Sequence, residues 1–307
     1  MPLVQQDVVI DPALSNVSVK FSNDTFIADL VFPTIRVSKQ TGKYYVYDKA
    51  NLRIDNTVRA AGSGANEVDF GLSTASFACD DHALKGFVAD EIQDQAEAAL
   101  NPLVDETEMI TEKLLLDREQ NLATLITSSS NITQYTALSG TSQWSDYSNS
   151  DPIGDIRTAR TTIHAASFKK PNTIILGKQV FDMLCDHPAI VERVKYSALG
   201  VITAELLARV FQVEKVLIGE AGKNTAVEGQ TDSLSYVWAK NAIVCYIAPK
   251  VGLKTLTLGL TFTYLARVVK RWRDEDREGT YVRVGSDNYI QKIVAASTAY
   301  LIQTAIA

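Results

Sequence analysis

The alternation of apolar and polar positions changes character several times along the chain. Residues 1–38 carry short apolar bursts, Val8–Ile10, Val17–Phe21 and Leu30–Phe32, punctuated by Pro2, Pro12 and Pro33. No helical period runs through them, so this stretch predicts an extended arm that needs a neighbouring surface to order it. Residues 39–80 predict a long β-hairpin. Its outgoing strand, Gly42–Ile54 (GKYYVYDKANLRI), is rich in Tyr and Val, which suit a pleated, half-buried surface. The return, Glu67–Cys79, alternates Val68, Phe70 and Leu72 with Glu67, Asp69 and Ser73, and NTVRAAGSGAN joins the two strands. A hairpin of that length is marginal alone, so it projects or lies on something else.

Helical spacing follows. His82–Leu100 predicts a first helix, ended by Asn101-Pro102 because proline disfavours helical geometry in the residue before it. Asp105–Ile126 predicts a second. Met109, Ile110, Leu114, Leu122, Leu125 and Ile126 recur at helical spacing, and Asp105 with Glu108 resembles a capping box. At 1.5 Å per residue it would be roughly 33 Å long. A polar segment, 127–150, predicts a boundary. Beyond it the elements alternate: helices over 155–168, 178–185 and 202–211, and strands over 173–176, 215–218 and within 236–248. The last stretch returns to strand patterns over 255–262, 263–273 and 281–284, and closes on the apolar tail 290–301.

Composition narrows the functional classes. The chain has 307 residues, 46% hydrophobic and 21% charged, which is long enough to bury a substantial core. The net charge of −6 argues against a protein built to grip nucleic acid, because such proteins concentrate Lys and Arg against phosphates. It is compatible with a wall that merely encloses nucleic acid. Cys79, Cys185 and Cys245 are odd in number and far apart, so they imply no disulfide framework or zinc spacing. The start of the chain lacks the basic and apolar regions of a signal peptide. Its most apolar stretch, Ile293–Ala307, is too short and too polar to span a bilayer. The expectation is a soluble protein made in the cytoplasm.

Candidate chemistry is sparse. The histidines are His82, His164 and His187, and no Gly-x-Ser-x-Gly elbow is present. His82, after Asp80-Asp81, suits capping of the expected first helix. Cys185-Asp186-His187 lacks a second pair of ligands at zinc spacing. Asp274–Gly279 (DEDREG) starts like a calcium loop, but Gly285 stands where the bidentate acid belongs, so it reads as an acidic turn. Gly219–Lys223 (GEAGK) has the wrong spacing for a phosphate loop. No catalytic, cofactor or metal site is expected. An arm, a projecting hairpin and a long helix instead suit a protein whose partners are copies of itself.

In the order and texture of these elements the chain resembles the major capsid proteins of tailed bacteriophages with the Hong Kong 97-like fold. Residues 1–38 resemble that family's N-terminal arm. GKYYVYDKANLRI and EVDFGLSTASFA, within 39–80, resemble its extended loop, and DETEMITEKLLLDREQNLATLI (105–126) resembles its spine helix. The resemblance implies an α+β fold with a peripheral domain (81–150 and 249–307) and an α/β axial domain (151–248). It implies hexamers and pentamers tiled into an icosahedral head around double-stranded DNA, without sequence-specific binding. The arm and loop would lie across neighbours, making Val8, Val9, Ile10 and Phe21, and Tyr45, Tyr47, Lys49, Arg53, Arg59, Val68 and Phe70, the candidate inter-subunit contacts. Too few residues precede the spine helix for a built-in scaffold, so a separate scaffolding protein is expected, with a portal and a decoration protein as further partners. Some members weld subunits through a Lys–Asn bond. Lys49 sits suggestively for one, but no Asn partner or catalytic acid stands out. An encapsulin shell around cargo enzymes shares the fold and is the alternative reading. An α/β hydrolase is the alternative of another class.

Overall fold

The computed structural model describes residues 9–10, 26–47, 52–68, 72–95, 101–195, 202–227, 229–250, 252 and 255–307. In chain order, β1 (Val9–Ile10), α1 (Ala28–Val31) and β2 (Thr34–Arg36) precede a hairpin of β3 (Thr41–Tyr47) and β4 (Leu72–Ala78). Then come β5 (Asp80–Ala89), α2 (Asp90–Gln95) and the long helix α3 (Pro102–Ile126). The alternating region holds β6 (Tyr135–Ala137), α4 (Pro152–Ser167), β7 (Thr173–Gly177), α5 (Lys178–Asp186), α6 (Pro188–Val194), α7 (Ala204–Val210), β8 (Lys215–Gly219), β9 (Gly222–Asn224), β10 (Leu234–Tyr236) and β11 (Ala242–Cys245). The chain closes with β12 (Gly259–Leu265), β13 (Val268–Asp274), β14 (Gly279–Ile293) and β15 (Ala299–Gln303).

Two sheets organise these elements. One runs β1-β13-β14-β12-β2, with β5 also paired to β14. The 15-residue β14 serves two neighbours in turn: β13 pairs with it up to Gly285 and β12 from Asn288. Between them its register against β5 shifts, and Ser286 adopts a left-handed φ of 59°. A bulge of this kind redirects a strand and lets it change partner. The second sheet runs β6-β15-β11-β7-β8. Strand β7 (TIILG) is buried at every position, as expected of a central strand covered on both faces. Its Ile174 and Leu176 face a core shared with α4, α5, α6 and α7, and its Ile175 faces the opposite core.

Helix α3 joins the two halves. By its 25 residues it is about 38 Å long. Its first turns (Leu103, Ile110) pack on Val88, Val269, Val282 and Val284 of the first sheet. Its last turns (Leu122, Ala123, Ile126) pack with Ile175, Ile243, Cys245 and Leu301 of the second. Thr107 and Thr111 are buried on it, and each returns its hydroxyl proton to the carbonyl four residues earlier, at 2.7 Å. The hydroxyls therefore enter the core already satisfied.

Several expectations need correction. Residues 82–89 are not helical but lie in β5; Asp90–Gln95 is helical, and 96–100 of the expected helix lie outside the described residues. The antiparallel ladder to β14, from Gly279↔Ala89 to Tyr289↔Asp80, overrides the local propensity. Helix α3 begins at Pro102, with proline in its first turn, and Asn101 makes no side-chain cap; the box expected at Asp105 is not formed. The described hairpin ladder runs from Thr41↔Ala78 to Tyr47↔Leu72, and residues 52–54 and 67–68, expected in its strands, carry no strand. The polar segment 127–150, expected as a boundary, carries core side chains: Ile132 and Trp144 are fully buried, and β6 pairs with β15. Strand β15, expected with the closing strands, lies instead between β6 and β11.

Candidate assembly surfaces

The hairpin is anchored at its base and free at its tip. Tyr44, Phe77 and Phe262 form a buried aromatic cluster, with the Phe77 and Phe262 rings stacked at 4.5 Å. Burial there raises the Tyr44 hydroxyl pKa. A Cβ on Gly42 would stand 2.8 Å from the Phe77 ring, so that close approach needs glycine. Beyond the ladder, residues 52–68 are all exposed and carry no strand. Ile54 is 100% exposed, Val58 79% and Val68 69%. Local bonds alone shape the tip, among them Asn66 Nδ2 donating to the Asn56 carbonyl at 2.6 Å. These apolar side chains lie open to solvent, apart from the buried aromatic cluster at the hairpin's base.

The lead-in divides in two. Val9 and Ile10 pair antiparallel with Arg271 and Lys270 of β13. Residues 27–36 do not form a free arm. Val31 and Phe32 are fully buried, and β2 runs parallel to β12. Their apolar burst therefore has a home within the chain. Gly259 leaves room for the Phe32 ring, which a Cβ there would meet at 2.1 Å.

Glu119 of α3 holds this segment down. It is fully buried and accepts the N–H groups of Ile27 (3.1 Å) and Ala28 (2.7 Å), together with Trp238 Nε1 at 2.6 Å. Burial pushes its carboxyl above the ordinary glutamate range, the Trp238 and backbone donors pull it back, and the charge of Asp29 raises it further. Three donors meet at one side chain, tying the lead-in, α3 and the loop before β11 together. One residue earlier, Arg118 pairs with Asp29 at 2.5 Å and lies 5.0 Å over the Tyr289 ring. His82 stacks on the other side of this cluster, 4.2 Å from the Tyr289 ring and 3.8 Å from Asp117, so it serves β5 and caps no helix.

The other polar groups singled out in the sequence make local contacts. His187 Nδ1 accepts the Ala189 N–H at the start of α6, which leaves Nε2 to carry the proton and donate it to Ser150 Oγ at 3.1 Å. A base would need that nitrogen free, so the pair does not activate Ser150. In the acidic turn, Asp274 accepts the Asp276 N–H, and Arg273 pairs with both Asp90 and Glu275 at 2.8 Å. Gly219–Lys223 runs from β8 into β9, so no helix follows to cradle a phosphate. Burial pushes the Cys245 thiol up to about 12, which keeps it protonated in the core. Among the described residues, no group of three or more His, Cys, Asp or Glu could hold a metal ion. No described helix is long and apolar enough to cross a membrane.

The family described as phage major capsid protein E matches residues 113–287. The major capsid protein of Pseudomonas phage JBD67 is 31% identical over 97% of this chain and 97% of its own length. The chain belongs to the phage major capsid protein E family. Among solved structures, a phage-related protein from Bordetella bronchiseptica RB50 is similar at a TM-score of 0.76 and 24% identity, covering 98% of this chain and 99% of its own. The mature capsid of bacteriophage PhiM1 is similar at a TM-score of 0.57 and 11% identity, covering 99% and 91%. The fold is the Hong Kong 97-like capsid fold.

The structure brings Tyr45, Arg53, Arg59 and Val68 onto the projecting hairpin, all exposed. Tyr47 pairs with Leu72 in its ladder, and Val9 and Ile10 lie on the edge of the first sheet. Val8, Phe21, Lys49 and Phe70 lie outside the described residues. Sequence reasoning passed over Glu119, although a signal was present. It falls three and seven positions before Leu122 and Ile126, on the apolar face of the helix, where a carboxylate needs dedicated donors.

Proposed function

We propose that this chain is the structural subunit of a phage head, assembling as hexamers and pentamers into an icosahedral shell that encloses double-stranded DNA. The observation that carries the reading is the hairpin tip, solvent-exposed over residues 52–68 and bearing unpartnered apolar side chains, on a chain related to capsid proteins over nearly its whole length. Residues 1–25 and the hairpin would lie across neighbouring copies, with Val8, Val9, Ile10, Phe21, Tyr45, Tyr47, Lys49, Arg53, Arg59, Val68 and Phe70 among the contacts. The first sheet with α3 would form the peripheral domain, and the second sheet with α4 to α7 the axial domain. A subunit in such a shell would bury on the order of 2,000–5,000 Å², as obligate assemblies do. Catalysis has no part in this reading. A separate scaffolding protein, a portal and a decoration protein are its further partners, and assembly in the host cytoplasm precedes residence in the virion. The relationship to phage capsid proteins favours DNA over enzyme cargo as the contents.

Two deletions test it. Removing Thr57–Ala65 takes away residues that touch no core, so the subunit should fold as before and fail to close normal shells. Removing residues 1–25 should likewise impair shell formation without loss of solubility. Normal particles from both truncations, seen by electron microscopy, would sink the assignment.

A further inference from the structure

A recess on the α4 side of the second sheet has no part in the assembly reading. It is a cavity of about 340 Å³, floored by Ile153, Ile156 and Phe211 and rimmed by Arg157, Arg160 and Arg193. Arg157 and Arg160 stand one helical turn apart on α4, and Arg193 comes from the last turn of α6. Like charges at that spacing repel. A chain of net charge −6 would ordinarily answer them with carboxylates. Among the described residues no Asp or Glu lines the recess, and none pairs with these three arginines.

Neutral contacts do not fill the gap. Arg160 Nη1 donates to Gln212 Oε1 at 3.1 Å, while its buried Nε has no acceptor. Gln212 reaches that position from a left-handed backbone, φ 55°, just past the end of α7. A non-glycine residue held there is uncommon, and such strain gathers where the surrounding structure demands one orientation. The recess thus holds forked donors, an oriented amide and an unanswered positive charge above an apolar floor.

We infer that this recess binds a phosphate-bearing polyanion, with Arg157, Arg160 and Arg193 as its ligands. Guanidinium groups match phosphate oxygens two at a time. A single carboxylate would leave most of the charge unanswered, whereas a diphosphate group answers it. The volume lies at the lower end of small-ligand pockets, roughly 300–1,000 Å³. The same chemistry is offered by a free polyphosphate and by the backbone of a nucleic acid.

The test uses the full chain, titrated with inorganic pyrophosphate by calorimetry and with a fluorescein-labelled DNA duplex by anisotropy. The comparison is a double variant, Arg157→Gln with Arg193→Gln. Both positions are exposed, so the variant should keep its circular dichroism and its melting temperature. The expected result is saturable binding of pyrophosphate, one per chain, weakened about tenfold for each arginine removed. Displacement of the duplex by pyrophosphate would name nucleic acid as an occupant. Binding of pyrophosphate with no effect on the duplex would name a free phosphate compound. Absence of saturable binding by either probe would overturn the inference, and so would undiminished binding by a folded double variant.

Discussion

Replacing Glu119 should loosen one particular part of the fold. Glu119→Ala strands three buried donors, the N–H groups of Ile27 and Ala28 and the indole of Trp238. Leaving a buried donor unsatisfied costs about 1–3 kcal/mol. Removing a desolvated carboxylate offsets part of that sum, so the net loss should be about 3–5 kcal/mol. Glu119→Gln keeps one acceptor but turns an amide N–H₂ toward donors, and should lose about 2–3 kcal/mol. The pH dependence has a definite sign. The carboxyl pKa is raised in the folded state, first by burial. Its contribution is therefore fully present below the unfolded value and lost as pH rises through the folded one. Glutamine does not titrate, so the gap between wild type and Glu119→Gln should narrow from pH 5 to pH 8. Urea unfolding followed by circular dichroism gives the stabilities. Amide hydrogen exchange locates the loss: protection at residues 27–32 should fall roughly 100- to 3,000-fold, at tenfold per 1.4 kcal/mol. Stability of Glu119→Ala within about 0.5 kcal/mol of wild type, with exchange at 27–32 unchanged, would refute the reasoning.

Other substitutions separate crowded positions from open ones. Gly177→Ala would place a Cβ 2.0 Å from the Ala239 carbonyl oxygen, a backbone atom that cannot step aside, and should cost about 2–3 kcal/mol in urea unfolding. Gly64→Ala, with nothing within 4 Å, should change stability by less than about 0.5 kcal/mol. Asn172 is buried and bonds both the N–H and the C=O of Ile247, at 3.0 and 2.8 Å, so Asn172→Leu should lose about 2–4 kcal/mol by the same measurement. Phe77→Ala removes the ring stacked on Phe262 and should cost about 3–5 kcal/mol, with increased exchange across β3 and β4.

Much of this fold was legible because it is written in local periodicity. Helix α3 shows in the recurrence of Ile110, Leu122 and Ile126, and β7 in the unbroken run TIIL. The hairpin was legible from Tyr and Val alternation, and its described ladder runs from Thr41↔Ala78 to Tyr47↔Leu72. What failed was structure decided at long range. Strand β5 exists because β14 lies beside it, and residues 82–89 show no clean alternation that would announce it. The segment 127–150 is polar by composition, yet the few large side chains Ile132, Leu138 and Trp144 fix it in the core. The burst Leu30–Phe32 read as an arm because its pocket is built from residues such as Gly259, more than two hundred positions away. Of the candidate contact residues, Tyr45 and Tyr47 fall on the outgoing strand that the sequence predicts, where the ladder has them. Whether they meet a neighbour depends on a second chain, which no local pattern encodes.

The central claim is that copies of this chain close into a shell. Its most direct test is negative-stain electron microscopy of the full chain, expressed alone and together with the genes beside it. Closed shells or rings of capsomers, in either preparation, are the predicted result. A product that stays strictly monomeric under every condition, scaffolding protein included, would contradict the account.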